Sequence, residues 1–416
     1  MTFSALWDSL LPLGRHEPTG GYRRYSFTEA DSACRDWFYK SAAQRLLRAD
    51  CDRNGNLWAW WDVSDNRAHS SSIDSDKTKA IVTGSHLDSV PDGGAFDGPL
   101  GVVCAFAAID LLRERGRVPD RPIAVVAFIE EEGARFGLAC LGSRLLTGAV
   151  TADAARALTD SDGVSLAQAM TGAGLDSAVI GPDPDLLASI GALVELHIEQ
   201  GSALDELGAA VGIAESIWPH GRWRLDFTGR ADHAGTTRLA DRRDPMLPYA
   251  ATVLAARKAA ADCGSLATFG KVNAEPGGAN AICSAVRAWL DARAPAETSL
   301  NKLVSQVRAA AEASATEHGV QVSIRRESFT PIVDFDRGLR DRVVAALAAR
   351  GITAPVLPTG AGHDAGVLAA TLPTAMLFVR NPTGVSHSPV EHAGQADCEA
   401  GVVALAAVLE ELACRG

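Results

Sequence analysis

Five side chains able to ligate a metal ion are spread over roughly 300 residues, each where a strand-like apolar run ends: His86, Asp97, Glu132, His197 and His387. Imidazole nitrogen and carboxylate oxygen together suit zinc, manganese or cobalt. Five such ligands, with one carboxylate bridging, are what two adjacent divalent ions per subunit require. A pair of ions can polarise a carbonyl and make hydroxide from water at neutral pH, which points to hydrolysis of an unreactive C–N bond. A lone histidine at a strand end is usually structural, and Glu130-Glu131-Glu132 alone reads as a solvated turn. The constellation is more specific than its members. Each ligand stands beside small or glycine residues, which let an ion and a substrate approach the backbone.

The neighbours of these residues extend the chemistry. Asp88, two positions after His86, is placed to hold the second imidazole nitrogen and fix the tautomer, as ligating histidines require. Asp97 precedes Gly98-Pro99, so it can bridge two ions and also cap a helix. The run Glu130-Glu131-Glu132 must supply two functional carboxylates. One binds an ion, and a neighbour takes a proton from the attacking water and returns it to the leaving nitrogen. The residues alone leave the register among the three open.

The elements that position these groups follow from pattern and composition. At 416 residues the chain exceeds one ordinary core, and 47% hydrophobic content is ample for two. The net charge of −12 argues against nucleic acid or an anionic membrane as partner. Eight cysteines without a CxxC pair read as free thiols in a reducing compartment. The N-terminus lacks a basic segment followed by a long apolar one, and no run approaches a membrane span, so a cytoplasmic protein is expected.

Helices are expected over 1–50, with Thr28 and Asp31 as caps, and a turn at Asn54-Gly55-Asn56 leads into a strand. An exposed loop is expected over 65–78. Apolar strands at 80–84, 122–129 and 192–196 alternate with helical stretches at 99–115 and 152–189, the pattern of an α/β layer with a largely parallel sheet. His86, Glu132 and His197 fall at strand carboxyl ends, where such sheets place ligands.

The pattern changes near 210. Strands at 222–229, 267–274, 284–293 and 319–326, with helices to about Ala261 and over 298–317, give β-α-β-β-α-β, the ferredoxin-like order. The expected domains are 1–210 and 329–416 as one discontinuous catalytic unit, with 211–328 inserted. A helix at 335–350, a strand from Thr374 and a helix at 396–413 complete the catalytic unit.

Seven motifs carry a resemblance: Gly84-Ser85-His86-Leu87-Asp88-Ser89, Gly94-Ala95-Phe96-Asp97-Gly98, Glu131-Glu132-Gly133-Ala134-Arg135-Phe136-Gly137, His197-Ile198-Glu199-Gln200-Gly201, Asp232-His233-Ala234-Gly235-Thr236-Thr237, Gly360-Ala361-Gly362-His363-Asp364-Ala365 and Gly384-Val385-Ser386-His387-Ser388-Pro389. Together they resemble the binuclear-metal amidohydrolase branch of the aminoacylase and carboxypeptidase-like metallohydrolases, across nearly the whole chain. That branch holds allantoate amidohydrolases, N-carbamoyl-L-amino-acid hydrolases and β-ureidopropionases.

The resemblance implies a zinc-exopeptidase-like catalytic domain with a ferredoxin-like lid through which two subunits dimerise. It implies Glu131 as base and Glu132 as ligand. One ion would be held by His86 and His197, the other by Glu132 and His387, with Asp97 between them. It implies Gln200 as a substrate-contacting amide and His233 as an oxyanion donor reaching in from the partner subunit. Asn280 and Arg293 resemble a pair gripping the substrate carboxylate, a task that suits the planar fork of arginine. His363 is a further near-site candidate.

Two departures stand out. Arg238-Leu239 replaces the Pro-Met of many relatives, and Glu130 replaces an Asp or Asn. The leading expectation is cleavage of allantoate to ureidoglycine, ammonia and carbon dioxide. An N-carbamoyl-L-amino-acid hydrolase or β-ureidopropionase is the second, and a non-catalytic metal-stabilised binding protein is the alternative of another class. No G-x-S-x-G elbow supports a serine hydrolase.

Overall fold

The computed structural model describes residues 2–63 and 78–414. The loop expected over 65–78 therefore lies, but for Thr78, outside the described residues. The strands run in chain order as β1 (Arg48–Cys51), β2 (Leu57–Trp61), β3 (Ala80–His86), β4 (Ile123–Phe128), β5 (Ile190–Ile198) and β6 (Val211–Ile217). Next come β7 (His220–Thr228), β8 (Asp232–His233), β9 (Leu266–Glu275), β10 (Ala281–Ile282), β11 (Ala285–Arg293) and β12 (Gln321–Thr330). The last are β13 (Val333–Asp334), β14 (Val356–Thr359) and β15 (Thr374–Val379).

The described chain divides into two compact units. The first comprises Met1–Glu215, Asp334–Leu357 and Gly362–Gly416, and the second Ser216–Val333 with Pro358–Ala361. In the first, the sheet order is β1-β2-β4-β3-β5-β15-β6-β13, with β14 on β6. The central strands β4, β3, β5 and β15 are mutually parallel, and β2 and β6 flank them antiparallel. Strand β6 begins at Val211, inside the segment expected from sequence to start the insert, yet it pairs with β15 in this sheet.

Composition explains the arrangement. Ile123–Phe128 and Thr374–Val379 are buried at every residue, as strands covered on both faces must be. Helix Pro99–Glu114 covers the sheet, with Pro99 in its first turn and a missing donor there costing nothing. Gly101 lets it approach closely, since a Cβ there would lie 2.1 Å from the Leu196 carbonyl oxygen. Helix Gln395–Ala413, apolar for most of its length, packs on Pro99–Glu114.

The second unit has the sheet order β12-β7-β11-β9, all antiparallel. Helices Met246–Asp262 and Glu297–Glu317 pack against one another and on this sheet. Burial alternates along β7 and β11, the mark of a sheet with one covered face. This is a ferredoxin-like α+β fold, with the short ribbon β8–β10 added at one end.

Candidate metal centre

Because β3, β4, β5 and β15 run parallel, their carboxyl ends share one edge, and the chain departs there into the loops that carry chemistry. His86 closes β3, Glu131 and Glu132 follow β4, His197 is next to last in β5, and His387 lies in the loop after β15. Asp97 stands two residues before helix Pro99–Glu114. The helix cap itself is Gly98, without a side-chain bond, so the Asp97 carboxylate is free for another role.

That carboxylate sits between two groups of ligand atoms. Its Oδ1 is 3.1 Å from His197 Nε2 and 3.7 Å from His86 Nε2. Its Oδ2 is 3.3 Å from His387 Nε2, which is also 3.5 Å from Glu132 Oε2. Two clusters result, His86–Asp97–His197 and Asp97–Glu132–His387, sharing Asp97. Glu131 belongs to neither cluster; its Oε2 lies 3.7 Å from His86 Nε2.

Backbone carbonyls fix the histidine tautomers. His86 Nδ1 faces the Asp88 carbonyl at 3.1 Å, and His197 Nδ1 faces the Ile198 carbonyl at 2.8 Å. Each Nδ1–H therefore donates outward, and each Nε2 lone pair faces the cluster. Both Nε2 atoms are buried without a hydrogen-bond partner among the described residues, as is Glu132 Oε1. Buried polar atoms left without partners are costly. A divalent ion in each cluster would satisfy them, and the nitrogen and oxygen donors suit zinc or manganese. Gly98 keeps this space open, since a Cβ there would lie 2.3 Å from the His86 ring.

The three consecutive glutamates point three ways. Glu130 has φ +54°, and its Oε1 accepts from the amides of Arg135 and Phe136. It caps the following turn rather than entering the site. Asp88 sets the next two: its carboxylate accepts from the Glu131 amide at 3.2 Å and the Glu132 amide at 3.1 Å. The Asp88 carboxylate thus holds these two amides and also faces His86, its Oδ1 lying 3.4 Å from Nδ1 beside the carbonyl contact at 3.1 Å. Burial pushes the Glu131 carboxyl well above the usual range and that of Glu132 to about 7. The hydrogen bond to Asp97 raises His387 to about 9. Bound cations would favour the ionised carboxylates and the neutral imidazole, and so would oppose these upward shifts.

Gln200 is also here. Its Nε2 donates to Asp97 Oδ2 at 2.7 Å and to Ser386 Oγ at 3.2 Å, while its Oε1 is buried without a partner among the described residues. The His363 ring packs against His197 with centroids 4.4 Å apart and the planes tilted by 60°. Burial, then the adjacent His197, holds it well below the ordinary histidine range.

Sequence reasoning missed two buried carboxylates that brace this edge. Glu195 in β5 accepts from Ser85 Oγ at 2.7 Å and the Ala365 amide at 2.9 Å. A charged residue inside an otherwise apolar, almost wholly buried strand was the available signal. Glu391 accepts from the Phe96 and Asp97 amides and from Ser386.

His233, Asn280 and Arg293 lie in the second unit. His233 Nδ1 accepts from the amides of Gly235 and Thr236 at 3.0 and 3.1 Å, so its Nε2 carries the proton and donates outward. Asn280 adjoins it, since its carbonyl accepts from the Ala234 amide and Ala281 pairs with His233. Arg293 ends β11, gripped by Asp291 at 2.8 Å and by the Gly360 carbonyl at 2.6 Å. Strand β11 spans nine residues, about 26 Å at roughly 3.3 Å per residue. One chain therefore does not bring Asn280 and Arg293 together as a grip on one carboxylate; they stand at opposite ends of the sheet.

A parallel sheet with nitrogen and oxygen ligands gathered at its carboxyl edge is the arrangement of a metal-dependent hydrolase. Residues 82–411 match peptidase family M20/M25/M40, and the chain belongs to that family. It is an amidohydrolase, a hydrolase of carbon–nitrogen bonds. The N-carbamoyl-L-amino acid amidohydrolase of Geobacillus stearothermophilus is 34% identical over 412 residues, covering 98% of each chain. The allantoate amidohydrolase of Escherichia coli (strain K12) is 30% identical over 401 residues, covering 95% of this chain and 94% of its own. The crystal structure of a hydantoinase/carbamoylase family amidase from Burkholderia ambifaria superposes with TM-score 0.82 at 32% identity, covering 100% of this chain and 99% of that one.

Proposed function

We propose that this protein hydrolyses the ureido C–N bond of a small ureido acid, with allantoate as substrate and ureidoglycine, ammonia and carbon dioxide as products. The observation that carries the reading is the Asp97 carboxylate set between two ligand clusters, with Glu131 beside them and outside both. His86, His197 and Asp97 would hold one divalent ion, and Asp97, Glu132 and His387 the other. When bound, the pair would polarise the ureido carbonyl and acidify water.

The chain's own groups supply the rest. Glu131 takes the proton of the attacking water and delivers it to the leaving nitrogen. Asp88 holds the Glu131 and Glu132 amides, so base and ligand keep their separation. Gln200 Oε1 accepts a substrate N–H. His233 Nε2–H, with its tautomer set by two backbone amides, donates to the oxyanion as charge develops. Arg293 binds the substrate carboxylate bidentately. His233 and Asn280 stand a strand's length from Arg293, so we assign them to one site only across a homodimer formed through the inserted unit. The partner then supplies His233 and Asn280, and closure of the lid excludes water.

A second reading, N-carbamoyl-L-amino-acid hydrolysis, is favoured by the 34% identity to the Geobacillus stearothermophilus enzyme over nearly the whole chain. Ammonia release from a panel of ureido acids, after chelation and reconstitution with zinc or manganese, separates the two. Allantoate presents a second ureido arm, whereas a carbamoyl amino acid presents its side chain. Metal analysis of the reconstituted protein should give two ions per chain. Full activity with one ion or none would sink the binuclear reading.

A further inference from the structure

Glu391 touches neither ligand cluster as a ligand, yet it joins the two loops that build the second one. It is 5% exposed. Its Oε1 accepts from the Phe96 and Asp97 amides, both at 2.9 Å. Its Oε2 accepts from Ser386 Oγ at 3.1 Å, and its own amide donates to the Ser388 carbonyl at 3.0 Å. The carboxylate thus ties the backbone of Asp97 to Ser386, and the Glu391 amide holds Ser388, so one residue joins Asp97 to both neighbours of His387 across almost 300 residues of sequence.

Two details show that the surroundings are built for this contact. Gly94 lies against Glu391, where a Cβ would come within 2.4 Å of Oε1 and 2.5 Å of the Glu391 Cβ. His387 has φ +56°, a conformation that strains a non-glycine residue and persists only where surroundings impose it. Ser386, directly before it, lies 3.0 Å from Asp97 Oδ2 as well as 3.1 Å from Glu391. Its single proton serves one acceptor at a time. Gln200 donates to both Ser386 and Asp97, which frees the Ser386 proton for Glu391. By contrast, His86 and His197 are oriented by the carbonyls of Asp88 and Ile198 and share no bond with Glu391.

We propose that Glu391 is a positioning residue for the second cation subsite, holding the Asp97 and His387 loops at the separation that lets Asp97, Glu132 and His387 share one divalent ion. This inference rests on the two-ion reading above. Removing Glu391 should weaken the Asp97–Glu132–His387 subsite, where it braces two of the three ligands, more than the His86–Asp97–His197 subsite, where it braces only the shared Asp97. Groups that orient metal ligands are typically worth 10- to 100-fold in affinity.

The test is a calorimetric titration of zinc into the chelator-treated full-length protein, free of any activity readout. Wild type should bind two ions. Glu391→Ala should keep one tight step and lose at least about 10-fold in the other, so that its isotherm approaches that of His387→Ala and not that of His197→Ala. Glu391→Gln keeps one oxygen for the Phe96 and Asp97 amides and should recover part of the loss. It also carries the test alone if the alanine variant does not fold. Wild type binding fewer than two ions overturns the two-ion reading and this inference with it. Two ions in wild type, bound as tightly by Glu391→Ala and Glu391→Gln, overturn this inference only. Equal weakening of both steps overturns it too, because a general loosening of the fold would do the same.

Discussion

Glu131 and Glu132 are adjacent in sequence, their amides are both held by Asp88, and the proposed mechanism makes the first the base and the second a ligand. Glu131→Gln should therefore keep both ions and lose turnover by roughly 10²- to 10⁴-fold, the usual contribution of a positioned base; steady-state kinetics on metal-verified protein would show it. Near-normal turnover would move the base elsewhere. Glu130→Gln should do far less, because Glu130 bonds back to Arg135 and Phe136. The sequence left this register open for a physical reason: it turns on the positive φ of Glu130, which no side-chain pattern announces. The five candidate ligands, which the fold gathers into two clusters, were legible because their types and glycine neighbours are local, whereas Glu391 bonds to backbone amides far away in sequence. The protons on this cluster also have a sign. Burial raises Glu130, Glu132 and Glu391 to about 7, and Asp97 raises His387 to about 9. A group whose folded pKa lies above its unfolded value loses its stabilising effect as pH rises through the folded value. His220 and His363, held low by burial, act the opposite way only below about 6.5. Between about pH 6.5 and 9 the chelated protein should thus melt at progressively lower temperature, and added zinc should flatten or reverse the slope. A chelated melting temperature that climbs across this window would refute the assignment.

At the level of elements, the site depends on how closely the start of helix Pro99–Glu114 approaches strand β3. Gly98 makes that approach possible, with φ +82° and no Cβ against the His86 ring. Gly98→Ala should cost about 1–2 kcal/mol in backbone conformation alone, and the clash must push His86 from its place. Zinc affinity should consequently fall further than the melting temperature of the chelated protein suggests. A variant that melts lower but titrates zinc as wild type does would show that the ring accommodates the methyl group. The long apolar strands were readable because burial on both faces leaves a continuous signature, as in Ile123–Phe128. Strands β1 and β14 were not read: each has four residues of alternating partial exposure, too short for a period to register. Strand β6 was missed for another reason. Val211–Ile217 is apolar enough, but its place beside β15 is set by antiparallel pairing across more than 160 residues, and sequence order does not carry that.

The whole molecule poses a question of geometry that one chain leaves unanswered. Both ends of the inserted unit's sheet carry a residue suited to substrate. Arg293 lies at the end where the chain enters at Ser216 and leaves at Val333, while His233 and Asn280 lie at the far end. The ferredoxin-like order was visible in the strand pattern, but this separation was not, because Asn280 and Arg293 are only 13 residues apart in sequence. A small ureido acid cannot touch both ends of one such sheet, so the two groups must come from two copies if both serve one site. Arg293→Ala should lower kcat/KM by about 10- to 150-fold, the worth of a charge-assisted hydrogen bond. His233→Ala should mainly lower kcat, since it meets charge that develops in the transition state. Mixing the inactive Glu131→Gln and His233→Ala proteins then decides between cis and trans. In a hybrid dimer, one site joins the intact Glu131 of one chain to the intact His233 of the other, so activity should partly return on mixing. The second site combines both lesions and stays silent. If His233 served its own chain, every site in the hybrid would carry one lesion, and the mixture would remain dead after subunit exchange is verified by mass spectrometry of differently labelled chains.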